Sequence, residues 1–161
     1  MSASATELIA DLAARGLTLG TCESLTGGQV AQSLTAVPGA SAVVRGGLVT
    51  YASDLKASLA GVDADWIAQH GVINRTTAEQ MAIGARRALG VDLALSCTGV
   101  AGPDPQDGEF PGTVWIAVCG PRPDQVTSRL LRLTGDRQAI RTQTVGALLA
   151  LLAELSQQFH E

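Results

Sequence analysis

The sequence predicts an α/β fold, a three-layer α/β/α sandwich in which helices cover both faces of a mixed, mostly parallel sheet. Helix-like and strand-like apolar patterns alternate along most of the chain, which is typical of parallel strands joined by crossover helices. Two strand-like runs close enough for a hairpin then precede the last helix, so the sheet is expected to be mixed. The 161 residues, 46% of them apolar, suit one domain over 1–161.

The first elements follow from periodicity and from glycine. They are predicted in the order helix 4–15, strand 17–23, helix 27–36 and strand 43–51. Gly16 is suited to end the first helix, and the second helix begins in the pair Gly27-Gly28. A bulge is expected at Gly46-Gly47 in the second strand.

The second half adds short helices, one long loop and a closing strand pair. The prediction is a short helix to Leu59, another around Trp66, a helix at 76–89, strands at 91–97, 113–119 and about 126–133, and a loop at 98–112. Ser53, Asp63 and Asp136 are expected to begin the short helices and the last helix as N-caps.

Composition excludes several classes of protein. The net charge is −4 and the basic residues are dispersed, so no nucleic-acid partner is expected. Three scattered cysteines, Cys22, Cys97 and Cys119, suit neither zinc nor a disulfide framework, which favours a reducing, cytoplasmic setting and no metal. The N-terminus does not read as a signal peptide, and no apolar run is long enough for a membrane span.

Three segments are expected at one edge of the sheet, because ligand sites of such folds form at the carboxyl ends of parallel strands. Glu23 to Gly28 stand at the end of the first strand, Tyr51 and Lys56 stand at and after the end of the second, and Thr98 to Pro103 follow the third. This placement would bring the single lysine and the single tyrosine of the chain close to a serine.

Ser24 is a candidate nucleophile. The backbone N–H groups of Thr26, Gly27 and Gly28, at a helix start, could bind an anion or a developing oxyanion. The alternative is that Ser24 or Thr26 caps the helix and the glycines form a tight turn, which this segment alone favours.

A serine nucleophile needs a base, and Lys56 is the best candidate. His160 stands next to the chain end, and His70 reads as a residue that closes a short helix, so a Ser-His-Asp triad is not expected. A lysine acts as a base when burial lowers its pKa. The alternative is an ordinary exposed helix lysine. Tyr51 could bridge the pair, bind substrate, or be a core residue at a strand end.

Two further groups are candidates for substrate binding. The Thr98 hydroxyl and the backbone of Gly99, Ala101 and Gly102 could hold phosphate or complete an oxyanion hole, or simply form a turn. Arg137 and Arg141, one helical turn apart, could hold phosphate or carboxylate, or form a solvated face with Asp136 as the cap. No P-loop and no dinucleotide fingerprint occurs.

Five motifs in this order resemble the CinA C-terminal-domain family of nicotinamide-nucleotide amidases. They are Glu-Ser-x-Thr-Gly-Gly, Arg-Gly-Gly-Leu-Val-Thr-Tyr with a lysine five residues on, Thr-Gly-x-Ala-Gly-Pro, Gly-Thr-Val, and Gly-Asp-Arg-x-x-x-Arg. The resemblance covers about residues 5–155. It departs from the common pattern at Leu25, Ser53 and Asn74-Arg75 and in the loop 104–111, and none of these positions is a proposed catalytic group.

The resemblance implies hydrolysis of the carboxamide of nicotinamide mononucleotide to nicotinate mononucleotide and ammonia, without metal or cofactor. It places the family serine at Ser24, the lysine at Lys56, the tyrosine at Tyr51, and the arginines at Arg137 and Arg141. It also implies the stand-alone form of the domain. The alternative is an inactive nucleotide-binding or interaction module of the same fold. A homodimer is compatible with the sequence, which does not fix the oligomeric state.

Overall fold

A computed structural model describes residues 4–159, so His160 lies outside the described residues. These residues form helices and strands in the order α1 (Ala5–Ala14), β1 (Leu19–Glu23), α2 (Gln29–Thr35), a short 3₁₀-helix (Ala40–Ala42), β2 (Val44–Val49), α3 (Ser53–Ser58), α4 (Ala64–His70), α5 (Arg75–Leu89), β3 (Leu93–Gly99), β4 (Thr113–Cys119), β5 (Val126–Arg132) and α6 (Arg137–Ser156). Every predicted helix and strand is present, with boundaries that shift by a few residues. The 3₁₀-helix is an addition.

The five strands form one mixed sheet in the order β2-β1-β3-β4-β5. β1 lies between β2 and β3 and pairs with both in parallel. β4 pairs antiparallel with β3 and with β5, so four strands run one way and β4 runs the other. This confirms the mixed, mostly parallel sheet and the closing hairpin. It also brings the carboxyl ends of β1, β2 and β3 to one edge.

Side chains of successive strand residues point to opposite faces, and each face is covered by helices. Leu93 and Leu95 of β3 pack in the core cluster that includes α1, α2 and α6. Ala94, between them, packs with Met81 and Ala85 of α5 on the other face. The result is the predicted three-layer sandwich. Among the described residues, no helix has the length and apolar character needed to cross a membrane.

Some local predictions need correction. Ser53 is not an N-cap, because the backbone at Ser53 is already helical and the extended residue before α3 is Ala52. The irregularity in β2 falls at Arg45, one residue before the predicted glycines, where the register to β1 shifts. Asp63 and Asp136 cap α4 and α6 as predicted, each accepting hydrogen bonds from backbone N–H groups of the first turn.

One glycine fixes the position of the segment that follows α3. Gly84 of α5 lies directly against the carbonyl group of Ala60, and a Cβ at this position would overlap that carbonyl. The close approach therefore requires a residue without a side chain. It places the segment that follows α3 directly against α5.

Candidate active site

The predicted edge of the sheet carries a cleft of about 460 Å³. The residues that line it come from the ends of β1, β2 and β3 and from the start of α6. They are Ser24, Leu25, Tyr51, Gly99, Val100, Ala101, Gly102, Pro103, Asp104, Pro105, Gln106 and Arg137. The parallel pairing of three strands thus brings together segments that are up to about a hundred residues apart in the chain.

Lys56 and Ser24 form a buried pair. The Lys56 Nζ lies 3.0 Å from Ser24 Oγ and donates to the Thr50 carbonyl oxygen over 2.7 Å. Lys56 is 1% exposed and Ser24 is 8% exposed. The structure therefore excludes the alternative of an exposed helix lysine. A neutral amine at Nζ would accept the proton of the Ser24 hydroxyl and keep an N–H for Thr50.

Burial lowers the pKa of the Lys56 amine, and nearby Cys22, Cys97 and Asp107 oppose this shift. Among the described residues, no ion pair includes Lys56. A buried amine without a carboxylate partner loses hydration when it is charged, so the neutral form is favoured. This is the state in which a lysine can act as a base.

The two cysteines beside this pair remain thiols at neutral pH. Burial raises the pKa of Cys22 to about 11 and that of Cys97 to about 12. The Cys22 thiol contacts the Thr50 hydroxyl, and the Cys97 thiol contacts the Thr26 hydroxyl. Since the thiolate is the nucleophilic form of cysteine, neither competes with Ser24.

In the loop after β1, the residue that begins α2 differs from the two N-caps considered from the sequence, Ser24 and Thr26. The N-cap of α2 is Gly28, in a left-handed conformation, so neither Ser24 nor Thr26 caps the helix. The first N–H groups of the helix, at Val30 and Ala31, donate to the carboxylate of Glu23. The helix terminus is therefore occupied by a buried side chain and is not open to a substrate anion.

Other N–H groups of this loop remain available. The Gly27 N–H donates to the Ser24 carbonyl oxygen over 3.1 Å. Within residues 4–159, the N–H groups of Leu25, Thr26 and Gly28 donate no hydrogen bond. Of these three residues, Leu25 lines the cleft, and Thr26 is fully buried.

Two predicted threonine contacts have other partners. The Thr26 hydroxyl donates to Glu23 Oε1 over 2.6 Å, and the Thr98 hydroxyl donates to the Val72 carbonyl oxygen over 2.7 Å. Both side chains are almost fully buried and lie outside the lining of the cleft. Thr98 occupies the strand face that packs on the α5 side, and its hydroxyl does not line the cleft.

The small-residue loop forms one wall of the cleft, which Gly99, Ala101 and Gly102 line. A Cβ at Gly99 would overlap the backbone of β4, so this glycine is required by strand packing. The Gly102 carbonyl oxygen accepts a hydrogen bond from Arg137 Nη1. The backbone of this loop therefore shapes the wall, and Arg137 ties it to α6.

Tyr51 and Arg137 lie at the mouth of the cleft. Arg137 Nη2 donates to the Tyr51 hydroxyl over 2.9 Å, and Tyr51 is 60% exposed. Tyr51 is thus not a core residue, and among the described residues its hydroxyl bonds neither Ser24 nor Lys56. Arg137 also stands at the first position of α6, where the helix dipole disfavours a cation.

Arg141 does not line the cleft. Its Nε donates to the Leu25 carbonyl oxygen over 3.0 Å, and its Nη2 donates to the Thr26 carbonyl oxygen over 3.2 Å. Arg141 therefore holds the backbone beside Ser24, and the expectation of two adjacent phosphate ligands on α6 is not met. The two arginines also do not form a simple solvated face.

Several residues of the candidate site were not predicted from the sequence. The carbonyl of Thr50 binds Lys56, Glu23 closes the start of α2, and Asp104 and Gln106 line the cleft. Glu23 stands in the serine motif, and an acid directly before a glycine-rich helix start is the one signal that could have identified it. Over residues 4–159, no group of three or more His, Cys, Asp or Glu side chains is arranged to ligate a metal ion.

Known sequences and solved structures similar to this chain have the same fold. The family model of the CinA C-terminal domain matches residues 1–156. A crystal structure of the competence/damage inducible protein CihA from Agrobacterium tumefaciens superposes with a TM-score of 0.91, is 36% identical, and covers 98% of this chain and all of that chain. A CinA superfamily protein from Klebsiella pneumoniae superposes with a TM-score of 0.90 at 33% identity, covering 96% of each chain.

Curated relatives are of two lengths. The nicotinamide-nucleotide amidohydrolase PncC of Escherichia coli K12 is 44% identical over 142 residues, which are 88% of this chain and 86% of the relative. A CinA-like protein of Frankia casuarinae is 46% identical over 144 residues, 89% of this chain and 33% of the relative. The chain thus spans about a third of the longer relatives and most of the shorter one.

Proposed function

Because the chain belongs to the CinA C-terminal domain family, we propose that it hydrolyses the carboxamide of nicotinamide mononucleotide, giving nicotinate mononucleotide and ammonia. The observation that carries the proposal is the contact of 3.0 Å between the buried amine of Lys56 and the hydroxyl of Ser24, at the edge of a cleft. The similarity to an amidohydrolase of nearly the same length supports the choice of substrate.

The proposed first half-reaction is acylation of Ser24. Neutral Lys56 takes the hydroxyl proton while Ser24 Oγ forms a bond to the carboxamide carbon. The carbonyl oxygen becomes an oxyanion, for which the unpaired N–H group of Leu25, a residue that lines the cleft, is the candidate donor. The Lys56 ammonium then protonates the nitrogen of the former amide, and the C–N bond breaks. Ammonia is released, and the acyl group remains on Ser24 as an ester.

The second half-reaction restores the enzyme. Water attacks the ester carbon and gives a proton to Lys56, which returns it to Ser24 Oγ as the C–O bond to the enzyme breaks. The product is a carboxylic acid that ionises at neutral pH. Lys56 thus serves as base and then acid in each half-reaction, which requires a pKa near the working pH.

Arg137 is the proposed ligand of the substrate phosphate. It lines the cleft and is held by the Tyr51 hydroxyl and the Gly102 carbonyl oxygen, and the remaining N–H groups of its guanidinium can bind an anion. Tyr51 acts in this proposal by orienting Arg137.

The test of the function is ammonia release from nicotinamide mononucleotide with chromatographic detection of the acid. Binding without turnover would instead indicate the inactive module.

Arg137→Ala and Arg141→Ala are expected to have different kinetic effects. Loss of Arg137 removes a ground-state contact and should raise KM about 10- to 100-fold with a smaller change in kcat. Loss of Arg141 frees the loop carbonyls of Leu25 and Thr26, so it should lower kcat more than it raises KM. Steady-state kinetics of both variants check this, and an unchanged KM in Arg137→Ala would remove Arg137 from the phosphate site.

The activity should rise with pH, because only neutral Lys56 can accept the Ser24 proton. The expected slope is about tenfold in kcat/KM per pH unit below the pKa of Lys56, with a plateau above it. Burial lowers the pKa of Lys56, so the plateau should begin at a lower pH than it would for a free lysine. A profile of kcat/KM against pH checks this, and a fall in activity across the same range would contradict Lys56 as the base.

The stability should change with pH in the same direction. Between the lowered pKa of Lys56 in the fold and about 10.4 in the unfolded chain, the unfolded state holds one more proton. The contribution of Lys56 to the free energy of unfolding therefore increases with pH in this window. Denaturant unfolding of wild type against Lys56→Met would show it as a pH-dependent difference.

A further inference from the structure

We propose that Glu23 is a positioning residue for the nucleophile, and that its buried carboxylate fixes the loop 24–28 in the conformation that brings Ser24 to Lys56. Glu23 is the last residue of β1 and precedes Ser24 directly. It is 1% exposed and has no role in the chemical steps described above. The inference rests on the proposed function where it is tested by kcat, because that measurement requires the amidase reaction.

The contacts of Glu23 close the loop at two points. Oε1 accepts from the Thr26 hydroxyl over 2.6 Å and from the Val30 N–H over 2.8 Å. Oε2 accepts from the Ala31 N–H over 3.0 Å. Thr26 lies in the middle of the loop and the two amides begin α2, so one side chain ties the end of β1 to both. A longer contact of 3.5 Å, from the Thr21 hydroxyl, stays within the strand.

The charge of Glu23 is matched by these donors. Within the described part of the chain, none of the ion pairs includes it. A carboxylate is an acceptor only, and each close partner donates. It also lies at the positive end of α2, whose N-cap Gly28 offers no side-chain acceptor. Glu23 therefore substitutes for the missing cap, and its close contacts all go to the loop and the helix that follows it.

Arg141 holds the same loop from the opposite side. It binds the Leu25 and Thr26 carbonyl oxygens, while Glu23 binds the Thr26 hydroxyl. In a trans peptide the N–H points away from the C=O of the same plane. Since the Leu25 carbonyl faces Arg141, the Thr26 N–H of the same peptide unit points away from Arg141. The loop is thus fixed between an anion and a cation that do not bind each other.

Glu23→Gln is the decisive variant. Its side chain keeps the size of Glu23 but carries an NH₂ group that cannot accept from a backbone N–H, so one buried donor is left unpaired. We expect kcat to fall about 10- to 100-fold with KM changed less than about threefold. We also expect faster hydrogen–deuterium exchange over residues 24–31, with unchanged exchange in β4.

Two kinds of control separate positioning from general stability. Asp63→Asn changes another capping carboxylate, at the start of α4, which lies outside the cleft lining. Leu152→Ala opens a cavity in the buried part of α6, far along the helix from Arg137. Both should lower the Tm and leave kcat within about twofold of wild type.

Thr26→Val and Thr26→Ser form a second pair of variants. Thr26→Val should lower kcat, whereas Thr26→Ser should keep kcat near the wild-type value, because serine keeps the hydroxyl that binds Glu23.

The outcomes are distinct. A loss of kcat in Glu23→Gln that exceeds the loss in controls of equal Tm, together with faster loop exchange, supports the inference. A kcat within about twofold of wild type, or a loss no greater than in Leu152→Ala, overturns it. If wild type releases no ammonia from nicotinamide mononucleotide, the proposed function fails, and loop exchange decides the inference alone. Faster exchange over 24–31 then supports it, and unchanged exchange overturns it.

Discussion

Lys56→Arg is expected to lower the rate of ammonia release by about 10²- to 10⁴-fold, the usual contribution of a general base. Arginine keeps the positive charge, but its guanidinium does not give up a proton near neutral pH and so cannot accept one from Ser24. The loss should appear in kcat and in kcat/KM. Initial rates of the purified variant, measured with nicotinamide mononucleotide, check this expectation.

The control for this prediction must exclude misfolding, because Lys56 is 1% exposed and arginine is larger. Lys56→Met has nearly the same shape and no charge, so it should fold with a Tm at least equal to that of Lys56→Arg and should also be inactive. The chain has no second lysine that could replace the base. Near-full activity in either variant would show that Lys56 is not the base.

Ser24→Ala should have the largest effect, a loss of about 10⁴-fold or more in kcat, because it removes the atom that forms the acyl intermediate. Binding of nicotinamide mononucleotide should persist with a Kd within about threefold of wild type, since Arg137 and the loop wall remain. Calorimetric titration of the variant and rate measurements separate the two effects. Loss of binding together with loss of rate would indicate a collapsed site instead.

Ser33, one turn into α2, offers a matched control for Ser24→Ala. Ser33 of α2 donates its hydroxyl to the Gln29 carbonyl oxygen of its own helix and lies outside the cleft lining. Ser33→Ala should therefore keep the wild-type rate. In wild type, acid quenching during turnover should trap an acyl group on the peptide that contains Ser24. If Ser24→Ala retained turnover or the acyl group formed elsewhere, the covalent mechanism would be wrong.

The position of Lys56 shows how far the sequence alone could predict the site. Hydrophobic periodicity predicted β1, β2 and β3, and the rule for parallel strands placed Ser24 and Lys56 at one edge. The absence of a suitable histidine then selected Lys56 as the base. What periodicity could not predict was its burial, because one polar residue in a six-residue helix does not define an inward face.

Arg141 and Glu23 show where sequence reasoning failed. The spacing of Arg137 and Arg141 correctly put both on one side of α6, but spacing does not say which partner each guanidinium finds. Arg141 meets the carbonyls of the loop after β1, which is more than a hundred residues away in the chain. In the same way, the sequence offers the start of α2 as a candidate anion site, and the position of Glu23 in the motif does not by itself show that its carboxylate folds back onto the helix.

The sequence by itself determined the order of strands and helices along the chain, the three-layer sandwich and the set of candidate site residues, because periodicity, glycines and caps act over short distances in the chain. Only the tertiary structure decided which of these groups face the cleft and which hold the backbone. The Thr98 hydroxyl binds the Val72 carbonyl oxygen, and Arg141 binds the loop after β1. Lys56 contacts Ser24 and, among residues 4–159, forms no ion pair. The physical reason is that the pKa of a side chain and its free hydrogen-bonding capacity depend on burial and on distant partners.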